Sequence, residues 1–121
     1  MKIAVPSENA NGLASMRSGH FGHAPYLTIV ELDDQMNIVS VESQKNVEHG
    51  EGGCGNVIEH VLGLGLDGIL AAGMGMPPLM RFTQGGMTVY FEQTEPIVGP
   101  AIALLAEGKV RRMTPEDACR H

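Results

Sequence analysis

Two histidines lie three residues apart in a short loop flanked by glycine and proline, GHFGHAP over residues 19–25. Imidazole nitrogens bind iron, copper, zinc and nickel, and a tight turn can direct His20 and His23 towards one point. The segment therefore predicts a candidate metal site. The alternative that the residues leave open is a polar loop with two hydrated imidazoles, because this spacing matches no diagnostic metal motif.

A glycine-rich segment, HGEGGCG over residues 49–55, runs directly into a predicted helix. Glycines expose backbone N–H groups that form an anion-binding nest, and a helix N-terminus adds a partial positive charge. The same charge favours the thiolate of Cys54, which is a soft metal ligand. This segment is thus a second candidate site, and the alternative is a glycine-rich connector with a small buried cysteine.

A third loop, GMGMPP over residues 73–78, follows a predicted parallel strand. Open α/β sheets bind ligands at the carboxyl ends of their strands, so Met74, Gly75 and Met76 are candidate contacts to a soft ligand. Methionine is also an ordinary filler of hydrophobic cores, which is the alternative. The loop matches neither the dinucleotide-binding motif nor the P-loop. The sequence shows no Ser/His/Asp arrangement, and we predict no catalytic residue.

Apolar patterning predicts the elements that position these loops. A first strand ends at Pro6, and a long loop over residues 7–25 leads to an antiparallel hairpin. The second half alternates helix and strand, which implies parallel pairing through right-handed crossovers. We therefore predict one α/β domain with a five-stranded mixed sheet and helices on its faces. The strands are predicted at 3–5, 26–32, 38–43, 68–72 and 87–91, the helices at 56–62, 79–84 and 96–107, and a final helical turn at Thr114.

The composition excludes several classes of function. The chain has 121 residues and a net charge of −6, so it is a poor non-specific partner for nucleic acid or an anionic membrane. No apolar run is long enough to span a membrane, and two cysteines form no disulfide framework. We expect a cytoplasmic protein, with a homodimer through an edge strand as one arrangement. His60 and the basic cluster Lys109, Arg111 and Arg112 are expected to be solvated.

With these motifs stated, the chain resembles the dinitrogenase iron–molybdenum cofactor biosynthesis family, which includes the NifX-type proteins, the C-terminal part of NifB and the orange protein. The resemblance covers about residues 1–108. It is carried by KIAVP at residues 2–6, GHFGHAPY at 19–26, the glycine-rich segment to Cys54, the turn at 73–75 and VYF at 89–91.

The resemblance implies a ribonuclease H-like fold for a domain over residues 1–108, with 109–121 as its C-terminal tail. It also implies a non-enzymatic role in binding, carrying or storing an anionic metal–sulfur cluster, of the iron–molybdenum or molybdenum–copper sulfide type. The implied partners are metallocluster biosynthesis proteins, among them a cluster-handling ATPase. The implied cluster ligands are His20, His23, His49 and Cys54, with the backbone N–H groups of Gly52, Gly53 and Gly55 balancing the charge of the cluster.

Two other functions stay open at this point. A regulatory or interaction domain would bind a partner such as a cluster-handling ATPase without any metal. An enzyme would use a reactive Cys54 thiolate, although no base and orienting group are visible beside it in the sequence.

Overall fold

The computed structural model describes residues 1–46 and 55–118. Within them, one mixed sheet of six strands lies between two helices on one face and a third helix on the other. The strand order is β3-β2-β1-β4-β5-β6. The strands are β1 (Lys2–Ser7), β2 (Tyr26–Leu32), β3 (Ile38–Lys45), β4 (Gly68–Ala71), β5 (Thr88–Phe91) and β6 (Arg111–Arg112), and the helices are α1 (Gly55–Leu62), α2 (Met76–Gln84) and α3 (Val98–Ala106).

The strand pairing confirms the predicted α/β architecture. β1, β2 and β3 form the antiparallel meander, while β4 pairs in parallel with β1 on one side and β5 on the other. Each parallel connection carries a helix, α1 before β4 and α2 before β5. The final turn predicted at Thr114 is a short 3-10 helix, Pro115–Asp117, which begins with a capping box.

The predicted count of five strands is one too low. β6 consists of two exposed arginines that pair antiparallel with Tyr90 and Phe91 of β5. Two charged residues have no apolar alternation, so the pattern that predicts strands does not detect them. The basic cluster is exposed, as expected, but its arginines are part of the sheet.

The first strand also runs further than predicted, because it includes Pro6 and Ser7. The proline lacks an N–H group and is tolerated only where no sheet hydrogen bond is needed from it. β4 pairs with β1 only at Ile3 and Ala4, so Pro6 lies beyond that pairing. Its carbonyl still accepts a hydrogen bond from the N–H of Ser18, at 2.9 Å.

Alternating side chains of the sheet divide the hydrophobic core into two layers. Ala4, Leu27 and Ile69 face α1 and α2 in the first core. Ile3, Val5 and Leu70 face α3 in the second core. No helix among residues 1–46 and 55–118 is long and apolar enough to cross a membrane.

Candidate functional site

The directions of the strands bring the candidate loops to one edge of the sheet. β1 is antiparallel to β2 and β2 to β3, so β1 and β3 run the same way. β4 and β5 are parallel to β1. These four strands therefore end at one edge, which we call the carboxyl edge. The register confirms this alignment, because Ser7, Tyr26 and Lys45 lie side by side across three strands.

The segment between β1 and β2, residues 8–25, crosses the carboxyl edge from one face of the sheet to the other; we call it the crossing loop. Leu13 packs against the α3 core, whereas Phe21 is buried in the core beneath α1 and α2. Between them, an isolated bridge joins Ser7 to Arg17. The N–H of Phe21 then donates to the carbonyl of Gly73 at 3.0 Å. That hydrogen bond joins the histidine loop to the loop after β4.

The crossing loop ends in a 3-10 helix, Phe21–His23, that brings His20 and His23 together. Residues three apart nearly eclipse in this geometry, and the ring centroids of the two histidines lie 5.0 Å apart with their planes tilted by 41°. Phe21 fixes the turn, because its buried ring packs edge-on against Phe82 at 5.2 Å. His20 is half-buried and His23 is exposed. The two imidazoles therefore form a pair near the surface, in a turn whose Phe21 is anchored in the core.

Asn46 fixes the chain at the point where it leaves β3. Its N–H donates to the carbonyl of Pro25 and its side-chain amide to the carbonyl of Ala24, both at 2.9 Å. Asn46 is buried, so the end of β3 is joined directly to the histidine loop. The chain re-enters the described region at Gly55, where α1 begins. His49, Gly52, Gly53 and Cys54 lie outside the described residues.

The loop after β4 contributes one buried and one exposed methionine. Met74 is fully buried in the core with Phe21 and Phe82, which is the packing role that the sequence leaves open. Gly75 is the N-cap residue of α2, with two prolines in the first turn after it. Met76 is 39% exposed at the start of α2. Only Met76 of the two methionines presents its thioether to the surface.

A buried ion pair that no sequence pattern indicates joins the crossing loop to the residues that follow β5, also at the carboxyl edge. The guanidinium of Arg17 donates to Glu92 Oε1 at 2.7 Å and to the carbonyls of Glu92 and Glu95, both at 2.9 Å. The Glu92 carboxylate also accepts hydrogen bonds from Thr94 and from the N–H of Glu95. The crossing loop is thereby fastened to the chain that follows β5.

The pKa values of both members of this pair are lowered, for different reasons. Burial lowers the pKa of Arg17, although the contacts with Glu92 counter it. Burial alone would raise the pKa of Glu92, but the hydrogen bonds from Thr94, Glu95 and Arg17 outweigh it, so the pKa of Glu92 is lowered. The lowered pKa of Glu92 favours its ionised form, and an arginine guanidinium stays protonated in proteins. No sequence pattern pairs two residues so far apart in the chain.

His60 differs from its expected hydrated state. The side chain is half-buried on α1, and its Nε2 atom is buried without a hydrogen-bond partner among the described residues. The neighbouring Glu59 forms an exposed ion pair with Arg81, which links α1 to α2. Within residues 1–46 and 55–118, no group of three or more His, Cys, Asp or Glu side chains is arranged to hold a metal ion.

The fold places the chain in a class of small α/β domains, with the candidate site at the edge where the strands end in loops. Over residues 1–108, the sequence matches the family described as "Dinitrogenase iron-molybdenum cofactor", and the chain belongs to that family. This confirms the family resemblance. The sequence has no significant match among curated proteins.

Three solved structures share the fold across nearly the whole chain. PH0822 is 23% identical with a TM-score of 0.77, covering 93% of this chain and 96% of its own. The apo form of the orange protein from Desulfovibrio gigas is 22% identical with a TM-score of 0.75, covering 93% and 92%. Protein mj0327 from Methanocaldococcus jannaschii is 19% identical with a TM-score of 0.74, covering 94% and 95%. At these identities, the likeness concerns the fold.

Proposed function

We propose that the protein binds and carries an anionic metal–sulfur cluster as an accessory of metallocluster assembly, without catalytic turnover. The observation that carries the proposal is the pair of imidazoles, 5.0 Å apart, at the edge where the loops converge. Membership of the iron–molybdenum cofactor family supports a cluster-related role. The cluster is cargo in this proposal, of the iron–molybdenum or molybdenum–copper sulfide type.

The chemistry of the residues fits such a cargo. A sulfide cluster is soft and negatively charged, so it favours imidazole or thiolate ligands together with N–H donors. His20 and His23 supply the imidazoles, and the predicted further ligands are His49 and Cys54. The N–H groups of Gly52, Gly53 and Gly55 are proposed to balance the charge, with Met76 at the rim. Met74 and Gly75 have a structural role in this proposal, because Met74 is buried in the core and Gly75 is the N-cap residue of α2.

Ordered surroundings favour binding at this edge. The histidine turn is fixed by the buried ring of Phe21 and by the hydrogen bond from its N–H to the carbonyl of Gly73, and Asn46 joins the end of β3 to Ala24. A preorganised ligand pair loses less conformational entropy when the cargo binds. The partners proposed on this basis are proteins that make or receive such clusters, including a cluster-handling ATPase.

The sheet and the family suggest two finer assignments. We propose a ribonuclease H-like scaffold, which the antiparallel β1–β3 meander followed by parallel β4 and β5 supports. We also propose that residues 109–121 belong to the domain of residues 1–108, because β6 pairs with β5.

Anaerobic reconstitution tests the cluster proposal. Purified protein is incubated with iron and sulfide, or with tetrathiomolybdate and copper, and desalted. We expect new visible charge-transfer bands and retained metal, both reduced in a His20→Ala/His23→Ala variant and in Cys54→Ala. His60→Ala is the matched control, because it removes an imidazole on α1 away from the histidine turn. Bands of equal intensity in all variants, or no bands in any, would refute the proposed site.

A further inference from the structure

A cleft opens where β5 ends and β6 begins, and no residue of the histidine loop lines it. Its volume is about 490 Å³, which lies within the range of small-molecule sites. Two chain segments form its walls, the residues that leave β5 and the residues that enter β6. The lining residues are Phe91, Glu92, Gln93, Thr94, Gly108, Lys109, Val110 and Arg111.

Arg111 presents a fixed guanidinium plane in this cleft. The central carbon of the guanidinium lies over the Phe91 ring, 5.1 Å from its centroid. Both terminal nitrogens donate to the Asp117 carboxylate, at 2.6 and 2.7 Å. The side chain is nevertheless 58% exposed, so more than half of its surface stays open to a ligand. A guanidinium held in this way is a platform on which a planar ring can stack.

Two cationic side chains line the cleft, Lys109 and Arg111, and they are paired with the carboxylates of Glu107 and Asp117 respectively. Glu92 contributes a carboxylate, but that group is internal and is neutralised by Arg17. Lys109 is exposed and its only ion pair among the described residues is with the equally exposed Glu107. Such surface pairs contribute little, so the ammonium group of Lys109 can exchange Glu107 for an incoming anion.

We propose that this cleft binds a planar heteroaromatic anion with the chemistry of a nucleoside monophosphate. The ring stacks on the Arg111 guanidinium, and the phosphate pairs with Lys109. Phe91 supports the stack from beneath. The platform needs no further ordering of Arg111, because Asp117 and Phe91 already hold it. This ligand class differs from the sulfide cluster proposed for the histidine edge.

Amide NMR titrations of the full chain test the proposal with three probes. AMP carries both the ring and the phosphate, adenosine only the ring, and ribose 5-phosphate only the phosphate. We expect AMP to shift amides of residues 91–94 and 108–111. The other two probes are expected to bind at least about fivefold more weakly, since stacking and the charge contact each contribute.

Variants separate the two contacts. Lys109→Met is expected to weaken AMP by about fivefold and to leave adenosine unchanged, whereas Lys2→Met, on the exposed start of β1, is the matched control with no effect. Arg111→Lys keeps the charge but removes the plane, and should weaken AMP and adenosine alike. Absence of localised AMP shifts at millimolar concentration would overturn the proposal. Ribose 5-phosphate binding as tightly as AMP, or an unchanged AMP affinity in Lys109→Met, would also overturn it.

Discussion

The buried pair of Arg17 and Glu92 gives the sharpest prediction about stability. Arg17→Met removes three hydrogen bonds and leaves a carboxylate whose side chain is only 7% exposed. Removing one partner of a buried pair costs about 3–5 kcal/mol. The Glu92 carboxylate keeps its donors from Thr94 and Glu95, so we expect the lower end, about 3 kcal/mol. In a domain of this size that corresponds to a fall in Tm of roughly 10–15 °C.

Urea unfolding at pH 7, followed by far-UV circular dichroism, measures this cost. Arg81→Met is the matched control, because the ion pair of Arg81 with Glu59 is exposed, at 49% and 63%. We expect the control to lower the free energy of unfolding by at most about 1 kcal/mol. The double variant Arg17→Met/Glu92→Gln should lose less unfolding free energy than the sum of the losses in the two single variants. The reason is that Glu92→Gln removes the carboxylate charge that Arg17→Met leaves without its partner.

Two outcomes would refute this reasoning. One is a loss of stability in Arg17→Met no larger than in Arg81→Met. The other is strict additivity in the double variant, which would mean that Arg17 and Glu92 do not stabilise each other. The denaturant slope must be unchanged for either comparison, since a changed slope reports a different unfolded or native state.

Three further predictions concern the core, the glycines and acid. Phe21→Ala should cost about 3–5 kcal/mol in urea unfolding and should also weaken cluster reconstitution; full reconstitution would contradict its anchoring role. Gly68→Ala should lower Tm more than Gly65→Ala, because the new Cβ at position 68 would lie 2.7 Å from the Thr88 carbonyl oxygen. An alanine at position 65 would meet no atom within 4 Å and would be strained only by the positive φ of 70°; the reverse order would refute this. The pKa of Glu92 is lowered from 4.5, so its stabilisation is complete above pH 4.5 and is lost as pH falls through the lowered value. Acid titration of Glu92→Gln should therefore show a shallower loss than wild type.

The long apolar elements could be predicted from sequence because their periodicity reflects burial on one face. The hairpin strands and the third helix agree with their predicted positions to within two residues. β6 could not be predicted, because a two-residue strand of arginines is specified by its partner β5 and by Asp117, which binds Arg111. Its structure depends on tertiary contacts rather than on local preference.

The candidate site likewise has a part that the local sequence predicts and a part that it does not. The spacing of His20 and His23 predicts that the rings meet, since the turn is local. The hydrogen bonds of Asn46 to Ala24 and Pro25 join residues far apart in the chain, and no local pattern encodes them. For the same reason no local pattern marks Arg17, because its partner Glu92 lies 75 positions away.

The path of the crossing loop has a consequence for how the domain opens. Leu13 packs in the α3 layer and Phe21 in the opposite layer, so neither layer can separate without disturbing the same segment. The N–H of Val98, at the start of α3, donates to Ser15, and that of Phe21 donates to Gly73. Structure that shares such a segment opens as one cooperative unit. In native-state hydrogen exchange, these two amides on opposite faces should therefore become exposed in the same opening event.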